Sequence, residues 1–347
     1  MTEKERWEYL FKRQPVDRVP LCLYSMSFAA RNTGFPIARM YDDPEISFSV
    51  QLRTNEMYDA THYTCYFGGA FGAREFGGEV KMPESEYEMA VSLLRPRVES
   101  EEDIFRLELP DVKKAGVMPL FMRFSRLQEK HGLPITVFIG STLTVVGFIC
   151  GVERMCRWMI KEPELVHRLC RLETDFVWEI AKYWVDTFGP ERILALSGSP
   201  TESNQVISPK HFKEFALPYQ MEIYNKIGSI GIKHVRTHLC GEQNMNLPYW
   251  SMFSHGNPGI ISIGPEVDIE EAARYFPNDI IFGNVDPIII QTGTSEEVYE
   301  MARECIEKGK KCPGGFILAP GCELPPMAPP YNVWMLRKAV NDFGWYD

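Results

Sequence analysis

The sequence predicts an α/β protein: a single (β/α)8 barrel over residues 1–347, with an elaborated segment at 26–100. Two observations carry that expectation. From residue 101 onward, short apolar runs alternate with helix-like stretches. These runs are continuously apolar rather than alternating, as in parallel strands buried on both faces by flanking helices. The second observation is positional. Glu202, His238, Cys240, Glu266, Asn284, Asp286 and Cys322 all fall just after an apolar run. In a barrel such positions share the C-terminal face, where active sites are built. A doubly wound sheet would spread them along a line instead. No Gly-x-Gly-x-x-Gly follows the first strand, so a dinucleotide-binding sheet lacks its signature.

In chain order, residues 3–14 read as a short amphipathic helix and Leu21 to Ser25 as a short strand after Pro20. Residues 26–100 read as irregular, rich in glycines and rings such as Tyr58, Tyr63, Tyr66, Phe67, Phe71 and Phe76. One reading is a hairpin-rich lid; the other is that Tyr66, Phe67 and Phe71 line an apolar substrate pocket. Glu101-Glu102-Asp103 opens a helix, with or without a break, to about His131. Ile135 to Gly140 is a β-branched strand, and Pro163 starts a helix that reaches about Phe188. Arg192 to Leu196 is the next strand; Ser208-Pro209 then caps a helix to about Ile227. The run Gly231 to Val235 leads to His238. After it come a strand at 259–264, a helix from Asp268 to Phe276, and a strand from Asp279 into Gly283-Asn284-Val285-Asp286-Pro287. Thr294 or Ser295, with Glu297, caps a helix to about Lys310. A last strand precedes Cys322, and a helix from about Tyr331 to Phe343 closes the sequence. With Leu21 to Ser25 and one strand near Tyr63 to Phe67, the count reaches about eight.

Composition narrows the function classes. At 347 residues, 45% hydrophobic and 24% charged, the chain can bury a large core. Its net charge is -10 and no Lys/Arg cluster interrupts it, which disfavours nucleic acid as a partner. No apolar run approaches the ~18 residues of a membrane span. The charged start, Met1-Thr2-Glu3-Lys4-Glu5-Arg6, has no apolar stretch behind it, and the nine cysteines are read as reduced thiols of a cytoplasmic protein. Homodimerisation is allowed by the sequence but not required by it.

The chemistry concentrates on Thr237-His238-Leu239-Cys240-Gly241. On a strand, residues two apart point to the same face, so His238 and Cys240 converge. Cys322, in Pro320-Gly321-Cys322-Glu323, lies 82 positions downstream of Cys240, so only the fold can join them. Three ligands from separate strand ends with one open position match a catalytic zinc rather than a structural one. The fourth position falls to Glu266, Glu202 or water. Glu323 would point away from Cys322 if the chain there were extended, His255 reads as a surface residue of a polar loop, and His234 as a satisfied core histidine. Asn284 and Asp286 are placed to orient a substrate or supply a proton; the alternative is a barrel-rim turn held by side-chain hydrogen bonds.

Thr237-His238-Leu239-Cys240-Gly241, Gly283-Asn284-Val285-Asp286-Pro287 and Ala319-Pro320-Gly321-Cys322-Glu323 resemble the uroporphyrinogen-decarboxylase-like superfamily, specifically its zinc-dependent, corrinoid-linked methyltransferase branch. The resemblance is good over residues 135–347 and weak before, mainly around Val16 to Pro20. It implies a (β/α)8 barrel with zinc on His238, Cys240 and Cys322. It also implies a separate corrinoid (cobalamin) protein that docks over the C-terminal barrel face. True decarboxylases are a poorer match. The segment that should be arginine-rich reads Ser27-Phe28-Ala29-Ala30-Arg31-Asn32, and no aspartate occurs between Tyr63 and Met82. Within the branch, the rings and methionines of the N-terminal segment favour removal of a methyl group from a small donor, an aryl methyl ether, to Co(I), with Asp286 or Glu202 as acid. The alternative is transfer from a methylated corrinoid protein to a coenzyme M-like thiol. Uroporphyrinogen decarboxylation is the lesser alternative.

Overall fold

The computed structural model describes residues 1–346; residue 347, the last of the expected domain, lies outside the described residues. Among the described residues there are eight strands: β1 (Glu79–Lys81), β2 (Ser92–Arg95), β3 (Ile135–Phe138), β4 (Ile193–Gly198), β5 (His234–Leu239), β6 (Ile260–Ile263), β7 (Ile280–Val285) and β8 (Phe316–Pro320). β3 to β8 form one parallel sheet in sequence order, which is the signature of repeated strand–helix units. β6, β7 and β8 are buried along their whole length, in keeping with helices on one side and a packed interior on the other. Thr294 provides the expected capping box, with Glu297, for helix Ser295–Gly309. Asp268 caps Ile269–Tyr275 through the amides of Glu270 and Glu271, and Ser208 caps the helix that begins at Pro209.

The N-terminal part departs from the expectation. Residues 26–100 are not rich in hairpins. They hold helices Met26–Asn32, Arg39–Asp42 and Pro44–Met57, and one antiparallel hairpin, β1–β2. Nor, among the described residues, does the parallel sheet reach eight laddered strands; it has six. Two segments without a full ladder lie beside the edges of the six-stranded sheet. Leu21 makes one parallel bridge to Leu318 of β8, and Thr61 N donates to Leu21 O at 2.8 Å. The 61–66 segment meets its backbone needs through side chains. Gln51 bonds both N and O of Cys65, at 3.0 and 2.8 Å, and Asn55 Nδ2 donates to Tyr63 O at 2.8 Å. Gln128 spans the seam to β3. Its Nε2 donates to Thr64 O at 2.8 Å, and its Oε1 accepts from Thr136 N at 2.9 Å. Buried amides thus do what a ladder would otherwise do, because backbone groups away from water must be paired.

Candidate metal centre

β5 delivers the first two ligands. His238 faces the sheet interior beside Gly198 of β4 and Ser262 of β6, its register partners. Beyond Leu239 the chain turns at Cys240-Gly241. Gly241 has φ +70°, a backbone conformation that asks for glycine. β8 delivers the third. Gly321 N donates to Val285 O at 2.8 Å and so holds Cys322 over the sheet end.

The three ligand atoms lie within 4.8 Å of one another, and the two sulfurs are 4.0 Å apart. A tetrahedral zinc with ~2.3 Å bonds would set its sulfurs about 3.8 Å apart. His238 Nδ1 is 3.0 Å from Ser262 Oγ, while Nε2 is buried without any partner. An orphaned buried nitrogen beside two thiols is costly by itself and correct for a metal ligand. The contact with Cys240, with His238 beside it, holds the Cys322 thiol well below the usual range, and the Cys240 thiol is pushed up by Cys322 and by burial. Soft sulfur and imidazole donors together suit zinc.

These ligands stand on the wall of a cavity of about 220 Å³, with Tyr24, Phe67, Phe71, Phe138, Arg236 and Glu323 among its other lining residues. A larger cavity, about 480 Å³, opens near the starts of β4 and β5 and includes none of the ligands.

The structure sorts the other expected residues. Phe67 and Phe71 line the cavity. Tyr66 does not; it packs edge-on to Phe121 and against Phe124 in the core. Glu202 is fully buried away from the three ligands. Its Oε1 accepts from Ser141 Oγ (2.6 Å) and Leu143 N (2.7 Å), and its Oε2 from Thr144 Oγ1 (2.7 Å). Burial pushes its carboxyl up, against those bonds. It secures the start of helix Thr142–Cys150 and lies outside the group formed by the three ligands. Glu266 is exposed and outside the ligand cluster. Asn284 ties β7 to the loop after β6, donating to Gly264 O (3.0 Å) and Val267 O (2.7 Å). Asp286 caps helix Pro287–Thr292, accepting from Ile288 N at 2.8 Å, and does not line the cavity.

Two histidine and acid readings change. His255 is buried, not a surface residue: Nδ1 lies 2.8 Å from Thr237 Oγ1 and Nε2 lies 2.9 Å from Trp250 O. Burial lowers its pKa to about 4. His234 bonds Pro258 O at 2.8 Å, as a satisfied histidine should. Glu323 turns into the cavity rather than away. It accepts from Ser27 N (2.8 Å) and Oγ (2.6 Å), and burial raises its carboxyl to about 7. Arg236 was overlooked altogether, although it sits two residues before His238 and therefore on the same strand face.

Among known proteins, the chain is 25% identical to methylcobamide:CoM methyltransferase MtbA of Methanosarcina acetivorans, over 99% of both chains. It is 31% identical to a methylated-thiol–coenzyme M methyltransferase of Methanosarcina mazei, over 58% of this chain and 53% of that one. A solved methyltransferase structure from Methanosarcina mazei superposes with a TM-score of 0.79 at 21% identity, covering 99% of each chain, and so shares the fold. Residues 2–343 match the model of the family described as uroporphyrinogen decarboxylase (URO-D), and it is to this family that the chain belongs.

Proposed function

We propose that the chain is a methyltransferase that moves a methyl group from the methylated corrinoid of a separate protein to the sulfur of a small thiol. The observation that carries this is the centre itself: two thiols and an orphaned imidazole nitrogen converging at the strand ends, on the wall of a small and largely apolar cavity. Whole-length similarity to methylcobamide:CoM methyltransferases supports the thiol as acceptor. The aryl methyl ether expected from the ring-rich N-terminal segment finds no counterpart among these relatives. Decarboxylation is disfavoured by size. A cavity of about 220 Å³ falls below the ~300–1,000 Å³ of drug-sized sites, and a tetrapyrrole with its ring of carboxylates is larger than a drug.

His238, Cys240 and Cys322 would hold the zinc. When bound, the ion supplies the positive charge that keeps a thiol deprotonated at neutral pH. Ser262 fixes the imidazole so that Nε2 offers its lone pair. Phe67, Phe71 and Phe138 exclude water around the acceptor sulfur, which leaves it less solvated and more nucleophilic. Overall, a thiol and a methyl-Co(III) corrinoid give a thioether, a Co(I) corrinoid and a proton; the Co–C electron pair stays on cobalt as the S–C bond forms.

The test combines zinc-loaded protein, a methylated corrinoid carrier and a panel of thiols. Loss of the methyl-Co(III) absorbance only when thiol is present, with a matching thioether by mass spectrometry, is expected. Charging of Co(I) by methoxylated arenes, without thiol-dependent demethylation, would overturn the proposal.

A further inference from the structure

The cavity of about 480 Å³ takes no part in the chemistry proposed above. It lies at the N-terminal ends of the strands, against Pro134 before β3, Ile193 and Leu194 of β4 and His234 of β5. His238 follows His234 by four residues on β5, about 13 Å further along the strand. The metal centre and this cavity therefore occupy opposite ends of the sheet. Its volume falls within the ~300–1,000 Å³ of small-molecule sites.

Helix Glu3–Phe11 builds one wall. Lys4, Trp7, Glu8 and Phe11 recur at helical spacing and all line the cavity. Four of the lining rings form a chain: His234 to Phe11 at 4.6 Å, Phe11 to Trp7 at 5.1 Å and Trp7 to Tyr63 at 5.7 Å between centroids. Such a wall suits a flat ring system, which meets aromatic edges and faces at these separations. The charges at the mouth decide its sign. Glu8 lies 3.9 Å from Lys12, and Arg192 is held by Glu129 at 2.9 Å. The Glu191 carboxylate folds against Gly189, where a Cβ would lie 2.7 Å from Oε1. Lys4 is exposed and, among the described residues, has no acidic partner. The charge left free to meet a ligand is positive.

Tyr63 forms the partition between the two cavities. It lines the N-terminal one, and its Oη accepts from Nη1 of Arg236, which lines the metal cavity, at 3.1 Å. Arg236 Nη2 donates to Ser262 Oγ at 3.4 Å, and Ser262 Oγ lies 3.0 Å from His238 Nδ1. Arg236 is 3% exposed, and its hydrogen bonds reach only these two neutral hydroxyls, with no carboxylate among the described residues. A buried guanidinium with so few acceptors depends on each of them. Whatever steadies Tyr63 steadies Arg236, and with it the hydroxyl that orients His238.

We propose that the N-terminal cavity is an effector site for a flat aromatic anion, and that Tyr63 and Arg236 transmit its occupancy to His238. A ring in the cavity holds Tyr63 against Arg236 and keeps water from the chain, so zinc binds more tightly. The site itself is independent of the thiol-transfer reading; only its effect on the centre rests on the metal.

Calorimetry at neutral pH on the zinc-loaded protein uses one ring with three charges: indole-3-propionate, indole and tryptamine. Affinity is expected to fall in that order, by about threefold or more from first to last. Lys4→Glu, an exposed change, reverses the order, and Phe11→Ala weakens all three. Equal affinities, or no binding of any of the three, overturn the site, and that comparison needs no variant to fold. An order that Lys4→Glu leaves unchanged places the ligand elsewhere and overturns it too. Chelator competition then reads zinc affinity with and without saturating indole-3-propionate. A gain of about threefold or more is expected in the wild type and none in Tyr63→Phe, which keeps the ring and loses the hydroxyl. Zinc affinity that is unchanged or weakened while the ligand binds overturns the transmission. Absence of thiol-dependent demethylation of the corrinoid would overturn the thiol reading and leave these outcomes as they stand.

Discussion

Ser262→Ala tests whether the histidine of the centre is oriented for metal. Ser262 is 1% exposed, and its hydroxyl oxygen lies 3.0 Å from His238 Nδ1 and 3.4 Å from Arg236 Nη2. For Nε2 to present a lone pair to a metal, Nδ1 must carry the proton, and Ser262 is then its acceptor. Alanine removes that acceptor in a place water does not reach. The tautomer needed for binding is left with a buried unpaired N–H, and the ring is free to rotate. Losing such an outer partner typically costs 10–100-fold in metal affinity, roughly 1.4–2.7 kcal/mol. Zinc affinity is measured by chelator competition at neutral pH on protein whose circular dichroism and Tm match the wild type. Ser197→Ala is the control: Ser197 lines the same cavity, but its hydroxyl is buried without a hydrogen bond, and its removal should change affinity by less than about twofold. A Ser262→Ala protein that binds zinc as tightly as the wild type would refute the assigned tautomer and the metal role built on it.

Other outcomes follow from the side chains that the structure moved or reassigned. His255 has a pKa of about 4 in the folded protein against 6.5 ordinarily. Its neutral form therefore contributes fully above the unfolded value, and the contribution is lost as pH falls from 6.5 through 4. The loss is on the order of 3 kcal/mol. Urea midpoints of wild type and His255→Gln should converge over that interval, and parallel curves would exclude His255 from the acid limb. Asp286→Ala removes a helix cap and should cost about 1 kcal/mol of stability while leaving methyl transfer unchanged, as read by denaturation and by the corrinoid assay. A loss of transfer without a loss of stability would restore Asp286 as an acid. Tyr66→Phe deletes a buried hydroxyl that has no hydrogen-bond partner. It should leave activity intact and hold or raise the Tm, whereas weakened thiol affinity would put Tyr66 back in the cavity.

The order of strands and helices from Ile135 onward was legible because strands buried on both faces must be continuously apolar, and helices announce themselves through caps such as Thr294 with Glu297. The convergence of His238, Cys240 and Cys322 was legible too, since His238 lies at the end of one strand and each cysteine just follows a strand, and strand ends of a parallel sheet meet on one side. The 26–100 segment was not. Its extended 61–66 stretch is paired by Gln51, Asn55 and Gln128, and a glutamine on a helix carries no local mark of the backbone it will satisfy. Direction at the strand ends was equally hidden. Asn284, Asp286 and Glu202 all lie where chemistry could happen, yet each spends its side chain on local structure. Glu323 and Arg236 turn into the cavity instead. Local pattern determines which residues form strands and which polar groups gather at their ends. Which of those groups keeps an unpaired nitrogen, a thiolate or an uncompensated charge depends on every donor and acceptor that the folded chain brings within about 3 Å, and only the tertiary structure decides that.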